Sequence, residues 1–162
     1  MGRRVYPEIR EIAAALFGKH IAAEKRMIHM AIKMRVVYYS KNLKTLSEQL
    51  STEADCKADT VPPAYNIEKQ KLLVICTKAF KNVPDDLARF LGGLDKTRAA
   101  NVAFVIDGKP GTAGSLVDKA SNAGTNVIAD TIYIKSNLFG QVSAAEIERV
   151  KQWKDNIVAS LS

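Results

Sequence analysis

The fold is decided by residues 35–46, RVVYYSKNLKTL. A short apolar run, 35–39, breaks into a polar loop and then into leucines at helical spacing. Strand, polar turn and helix in this order is how an open α/β sheet begins, and the loop after the first strand is a common place for such sheets to hold a phosphate. The loop contains no glycine, so the stretch predicts the fold more directly than the function.

The composition of the chain is typical of an ordinary globular domain. Its 162 residues are 47% hydrophobic and 25% charged, which suits a protein with one core. Cys56 and Cys76 are the two cysteines, too few for a disulfide framework or a four-cysteine zinc site. No apolar run is long enough to cross a bilayer, so we expect no membrane span and a cytoplasmic location.

Positive charge is concentrated at the front of the chain. Residues 1–33 hold seven Lys or Arg against three Glu, and Ile9, Ile12 and Leu16 recur at helical spacing. The pattern predicts a basic helical N-terminal extension, 1–33, ahead of a domain at 34–162. A solvated face is favoured over contact with nucleic acid or a membrane, because interleaved aromatics and a sharp apolar stripe are missing. A natural start at Met34 is the alternative interpretation.

From residue 34 onward, apolar strand patterns alternate with helical ones. The runs at 72–77 and 101–107 are continuous, as in strands buried on both faces of a parallel sheet. A weak second strand is predicted at 56–61 and a last strand at 127–134. Ser143 and Glu146 have the spacing of a capping box for the final helix, and Asn42 or Ser40 is placed to cap the first.

Five strands separated by helices or crossovers predict a doubly wound α/β fold with a five-stranded parallel sheet, in the order 2-1-3-4-5. Residues 34–162 resemble the flavodoxin-like family. The resemblance is carried by the opening MRVVYYS at 34–40, the Val83-Pro84 helix entry and the strand at 101–107. It depends on element order and hydrophobic pattern more than on a diagnostic motif.

The resemblance implies an FMN site at the carboxyl ends of the strands. Typical flavodoxins surround the phosphate with a Ser/Thr-x-Thr-Gly-x-Thr loop, which falls here on residues 40–45. Leu43 stands at the glycine position, where it resists positive φ and its Cβ obstructs close approach of a phosphate. The phosphate-binding residues implied are Ser40, Lys41, Asn42, Lys44 and Thr45.

The same resemblance implies a flavin ring between the loops after the third and fourth strands, 77–82 and 107–112. The cofactor-binding residues implied there are Thr77, Phe80, Asp107 and Gly108. These loops hold no Trp or Tyr for a ring sandwich, and Phe80 fits a core position equally well.

The leading functional hypothesis is a flavodoxin-like protein that binds FMN non-covalently and transfers electrons to a redox protein partner. The rival is a binding or interaction module that keeps the fold without flavin, with the front helix contacting a partner or a second subunit. A small reductase subunit is a third option, and an enzyme with its own substrate is less favoured. Because His20 and His29 lie in the front segment, a histidine-based triad or metal site in the sheet domain is excluded.

Overall fold

A computed structural model describes residues 32–162. The predicted helical extension therefore lies outside the described residues, apart from its last two positions. The strands are β1 (Met34–Tyr38), β2 (Ala58–Thr60), β3 (Gln70–Lys78), β4 (Ala99–Asp107), β5 (Asn126–Val127) and β6 (Ile132–Ile134). The helices are α1 (Lys44–Glu53), α2 (Asp85–Gly92), α3 (Gly114–Ala123) and α4 (Ala144–Leu161), and a 3₁₀ turn at Lys41–Leu43 precedes α1.

All strand pairs are parallel, in the order β2-β1-β3-β4-β5, with β6 also pairing with β4. The predicted doubly wound sheet and its order are confirmed. The predicted last strand is divided, because residues 128–131 leave the sheet between β5 and β6. The indole N–H of Trp153 donates to the Asp130 carbonyl in this excursion, at 2.7 Å.

Two apolar layers cover the two faces of the sheet. One is filled by α1 and α4, through residues such as Leu46, Leu50 and Val150. The other is filled by α2 and α3, through residues such as Leu87 and Leu116. Because helices bury both faces, β3 and β4 are almost continuously apolar, as parallel strands require.

Local signals account for several helix ends. The Ser143 hydroxyl accepts from the Glu146 N–H at 3.2 Å, which confirms the predicted N-cap of α4. Gly124 ends α3 with φ of +113°, a conformation that suits glycine. The predicted N-cap of α1 is wrong, because neither Ser40 nor Asn42 makes a side-chain cap there. No helix within 32–162 is long and apolar enough to cross a membrane.

Candidate functional site

The carboxyl ends of the strands form the edge at which a doubly wound sheet offers a crevice. The crossovers from β1 and β3 lead to opposite ends of the sheet order, which opens the crevice between these two strands. Four of the loops that leave this edge follow β1 (39–43), β3 (79–84, with Lys78 at the strand end), β4 (108–113) and β6 (135–143). We call these four loops the carboxyl edge.

The loop after β1 is wound inward. The Leu43 N–H donates to the Ser40 carbonyl at 2.9 Å, and the Lys44 N–H donates to the Lys41 carbonyl. Leu43 has φ −98° and is fully buried in the layer that holds Leu46. The loop thus reaches α1 without positive φ, and the Leu43 side chain belongs to the core rather than to the crevice.

The polar side chains of this loop contact neighbouring loops. The Ser40 hydroxyl accepts from the backbone N–H of Lys78, at 3.3 Å. The Asn42 amide lies against Gly140, where an added Cβ would sit 2.7 Å from its Nδ2. Gly140 has φ +75°, so both its backbone and this contact require glycine. The loops after β1 and β6 are therefore packed together.

A surface cavity of about 400 Å³ opens beside this contact. Its polar lining comes from Lys41, Asn42 and Thr45 at the start of α1, and from Gln141 after β6. Lys44 lies on the first turn of α1, with its Nζ 3.9 Å from Glu48 Oε1. Of the residues implied by the family resemblance, Lys41, Asn42 and Thr45 are those that share this cavity.

The loop after β3 is held by aromatic packing. Phe80 is half-buried and meets the Tyr39 ring edge-on, with the centroids 5.7 Å apart. The Tyr39 hydroxyl donates to Asp86 Oδ1 at 2.8 Å, and this bond raises the pKa of Tyr39. Thr77 is fully buried at the end of β3. Phe80 therefore ties the loop after β3 to the loop after β1.

Asp107 and Gly108 serve contacts between loops. The Asp107 carboxylate accepts from the Ser136 hydroxyl at 2.8 Å and from the Ser136 N–H at 3.2 Å. A Cβ on Gly108 would lie 2.9 Å from the Ala79 Cβ, and the Ala79 N–H donates to the Asp107 carbonyl. The loops after β3 and β4 leave the sheet in contact, and the glycine is explained by that contact.

The sequence reasoning missed residues 137–141, which we call the apolar turn. The Asn137 Oδ1 accepts from the N–H groups of Phe139 and Gln141, each at 2.9 Å. Two backbone bonds, Asn137 to Gln141 and Gly140 to Asn137, close the turn. Leu138 and Phe139 are 102% and 88% exposed. The sequence did contain a signal for this turn, since Asn137 and Gly140 are turn-forming residues on either side of two bulky apolar ones.

The architecture matches a solved structure. The fold is flavodoxin-like. The similar structure is described as a flavodoxin from the domain Archaea, with a TM-score of 0.57. The match covers 80% of this chain and 99% of that one, at 13% identity. No protein-family model and no curated protein matches the chain. At this identity the similarity establishes the fold alone.

The flavodoxin-like fold raises the question of whether the residues at the carboxyl edge fit FMN. A phosphate cradle needs several N–H groups and hydroxyls directed at one point. Here the N–H groups of Leu43 and Lys44 bond within the loop, and the Ser40 hydroxyl accepts from Lys78. Phe80 is half-buried and packs on the Tyr39 ring. The arrangement does not fit FMN held in the manner of the family motif.

Other chemistries find little support at this edge. Cys76 is fully buried, and the burial raises its pKa to about 12, so it packs as a small apolar residue and not as a thiolate. Within residues 32–162 no three His, Cys, Asp or Glu side chains are grouped so as to hold a metal ion. What the edge does offer is charge, a polar cavity and the apolar turn.

Proposed function

We propose that this protein is an interaction module of flavodoxin-like fold that acts through the carboxyl edge without holding flavin. The observation that carries the proposal is the inward winding of the loop after β1. Its Leu43 side chain is part of the core, and two of its N–H groups are already bonded within the loop and the first turn of α1. In this conformation the loop uses those two N–H groups for its own bonds and places Leu43 in the core, so it does not present the N–H cradle of the family motif.

The charge of the carboxyl edge supports a binding role. Its four loops, together with Lys78 at the end of β3, contain five lysines and no Asp or Glu: Lys41, Lys78, Lys81, Lys109 and Lys135. All five are exposed. The whole chain has a formal net charge of +7, so the edge adds to a general attraction for anionic partners.

Electron transfer through bound FMN is the second candidate, favoured by the similarity to a solved flavodoxin and by the cavity beside Lys41 and Thr45. In that case FMN would supply the redox chemistry, and the protein would supply its binding and orientation. Ser40, Lys41, Asn42, Lys44 and Thr45 would hold the phosphate. Thr77, Phe80, Asp107 and Gly108 would lie near the ring.

A flavin titration separates the two candidates. The full chain is purified, its visible spectrum recorded, and micromolar FMN added while flavin fluorescence is followed. We expect a colourless protein and unchanged fluorescence. Flavin absorption bands in the purified protein, or saturable quenching, would contradict the proposal. The double variant K41A/K44A is the control, since a phosphate held by these ammonium groups would lose affinity with them.

A further inference from the structure

The exposed apolar side chains of the apolar turn have no partner in the described part of the chain. Leu138 and Phe139 are adjacent and protrude almost completely from the surface. Among the described residues the third large exposed hydrophobic residue is Tyr65, which lies outside these loops, between β2 and β3, with its carbonyl accepting from Arg35. Single exposed apolar residues are ordinary, whereas two that protrude together are a mark of an interaction surface.

The apolar turn is held in place. Asn137 bonds to both arms of the turn through its side chain, and Gly140 packs on Asn42 of the loop after β1. Ser136, directly before the turn, is fixed by two bonds to Asp107. The geometry of these contacts keeps Leu138 and Phe139 directed away from the protein. Little ordering would be required for both side chains to enter an apolar medium.

The surroundings of the apolar turn are basic. Lys135 leads into the turn, and Lys41 lines the cavity that Gly140 and Gln141 also line. Lys81 and Lys109 lie on the other loops of the same edge, and Lys78 lies at the end of β3.

Four carboxylates lie at or directly behind these loops, and one of them, Glu146 in the first turn of α4, is paired with Arg149 at 2.9 Å. Asp107 is bonded to Ser136 and Asp86 to Tyr39, while Asp85 is exposed at the start of α2. By formal charge, five lysines and Arg149 stand against four carboxylates, so the carboxyl edge and the helix starts behind it are net positive.

We propose that the carboxyl edge docks on an anionic lipid surface, with Leu138 and Phe139 inserted below the headgroups and the lysines at the phosphates. Protruding apolar side chains enter a bilayer without needing a matching pocket, and long lysine stems reach its anionic groups. The inference rests on the proposed function in one respect, that the carboxyl edge is an interaction surface.

Vesicle binding tests the proposal with the full chain. Co-sedimentation is measured with vesicles of phosphatidylcholine alone and of phosphatidylcholine mixed with phosphatidylserine. We expect binding to the mixed vesicles, weakened by added salt. The double variant L138S/F139S should lower the partition coefficient by about tenfold or more. The matched control Y65S removes an exposed aromatic outside the four loops and should bind as the parent does.

Fluorescence distinguishes insertion from surface attraction. In F139W the new indole should shift to shorter wavelength when mixed vesicles are added, while Y65W should show no vesicle-dependent shift. The only native tryptophan, Trp153, is 6% exposed and supplies a constant background.

Three results would overturn the proposal. Equal vesicle binding by the parent and L138S/F139S would show that the apolar turn does not dock. Equal binding to neutral and anionic vesicles would contradict the role of the lysines. Self-association of the parent without lipid, lost in L138S/F139S, would assign the turn to a protein interface instead. The FMN titration is independent of these measurements, so a failure here and a failure of the proposed function are told apart.

Discussion

Leu43 and Leu138 occupy neighbouring loops at the same edge of the sheet, in opposite environments. Leu43 is fully buried, whereas Leu138 is 102% exposed, and their loops touch through Asn42 and Gly140. Both leucines follow an asparagine, but Leu43 begins the helical spacing that Leu46 and Leu50 continue, whereas Leu138 belongs to no such pattern. The difference comes from packing. One loop completes the layer formed by α1 and α4, and the other is braced on the outside of the first.

The comparison also separates two roles for a loop at this edge. An inward loop contributes to the stability of the fold and uses part of its backbone N–H groups for its own bonds. An outward loop contributes little to stability and keeps its side chains for a partner. The same substitution placed in each loop should therefore have very different effects.

The largest effect is expected for Leu43→Ala. Removing a fully buried leucine side chain should lower the free energy of unfolding by about 2–5 kcal/mol, because transfer and cavity terms add. Urea denaturation followed by Trp153 fluorescence measures the change. A loss of less than about 1 kcal/mol would show that Leu43 is not the core residue described here.

Gly140→Ala should destabilise the contact between the two loops. The new Cβ meets the Asn42 amide and the backbone has φ +75°, so we expect a cost of about 1–2 kcal/mol. Gly114→Ala is the matched control, since its added Cβ meets nothing within 4 Å and needs no positive φ. The two variants are compared by urea denaturation, and equal stability would contradict the packing of Gly140 on Asn42.

Asn137→Ala should loosen the apolar turn at a cost of about 1 kcal/mol, because the N–H groups of Phe139 and Gln141 lose their shared acceptor. Hydrogen exchange at these two amides should become faster. Asn122→Ala, at an exposed position on α3, is the control and should leave both amides unchanged. Unaltered exchange in Asn137→Ala would mean that the side chain does not organise the turn.

The smallest effect is expected for Leu138→Ala. An exposed side chain gains nothing from folding, so the free energy of unfolding should stay within about 0.5 kcal/mol of the parent. Urea denaturation beside Leu43→Ala tests this. A loss comparable to that of Leu43→Ala would abolish the contrast between the two loops.

The sheet was the part of the structure that the sequence predicted best. The runs at 72–77 and 101–107 lie within β3 and β4, because a strand buried on both faces must be apolar at every position. The second strand, predicted at 56–61, is reduced to Ala58–Thr60. The division of the last strand was not predicted, since it involves a bond from Trp153, which lies some twenty residues further along the chain.

The carboxyl edge was harder to predict from the sequence than the sheet. Counting along the flavodoxin motif places residue 43 at the glycine position, but the motif cannot tell whether the side chain there faces a ligand or the core. The sequence fits Phe80 equally well to a core position and to a ligand-binding position. Its contact with Tyr39 could not be predicted, because Tyr39 lies in a different loop. The apolar turn was missed because no periodic pattern includes it. Its exposure follows from bonds made by Asn137, not from the polarity of its neighbours.

The outer strands of the sheet have a bearing on how the protein associates. On one side β2 has three residues, and on the other β5 has two and β6 three. Long unpaired strands recruit strands of other chains, and these segments are too short to do so effectively. Because residues 128–131 divide the last strand, the strands at that edge are short, which disfavours β-aggregation. Pairing between molecules through the edges of the sheet is therefore disfavoured.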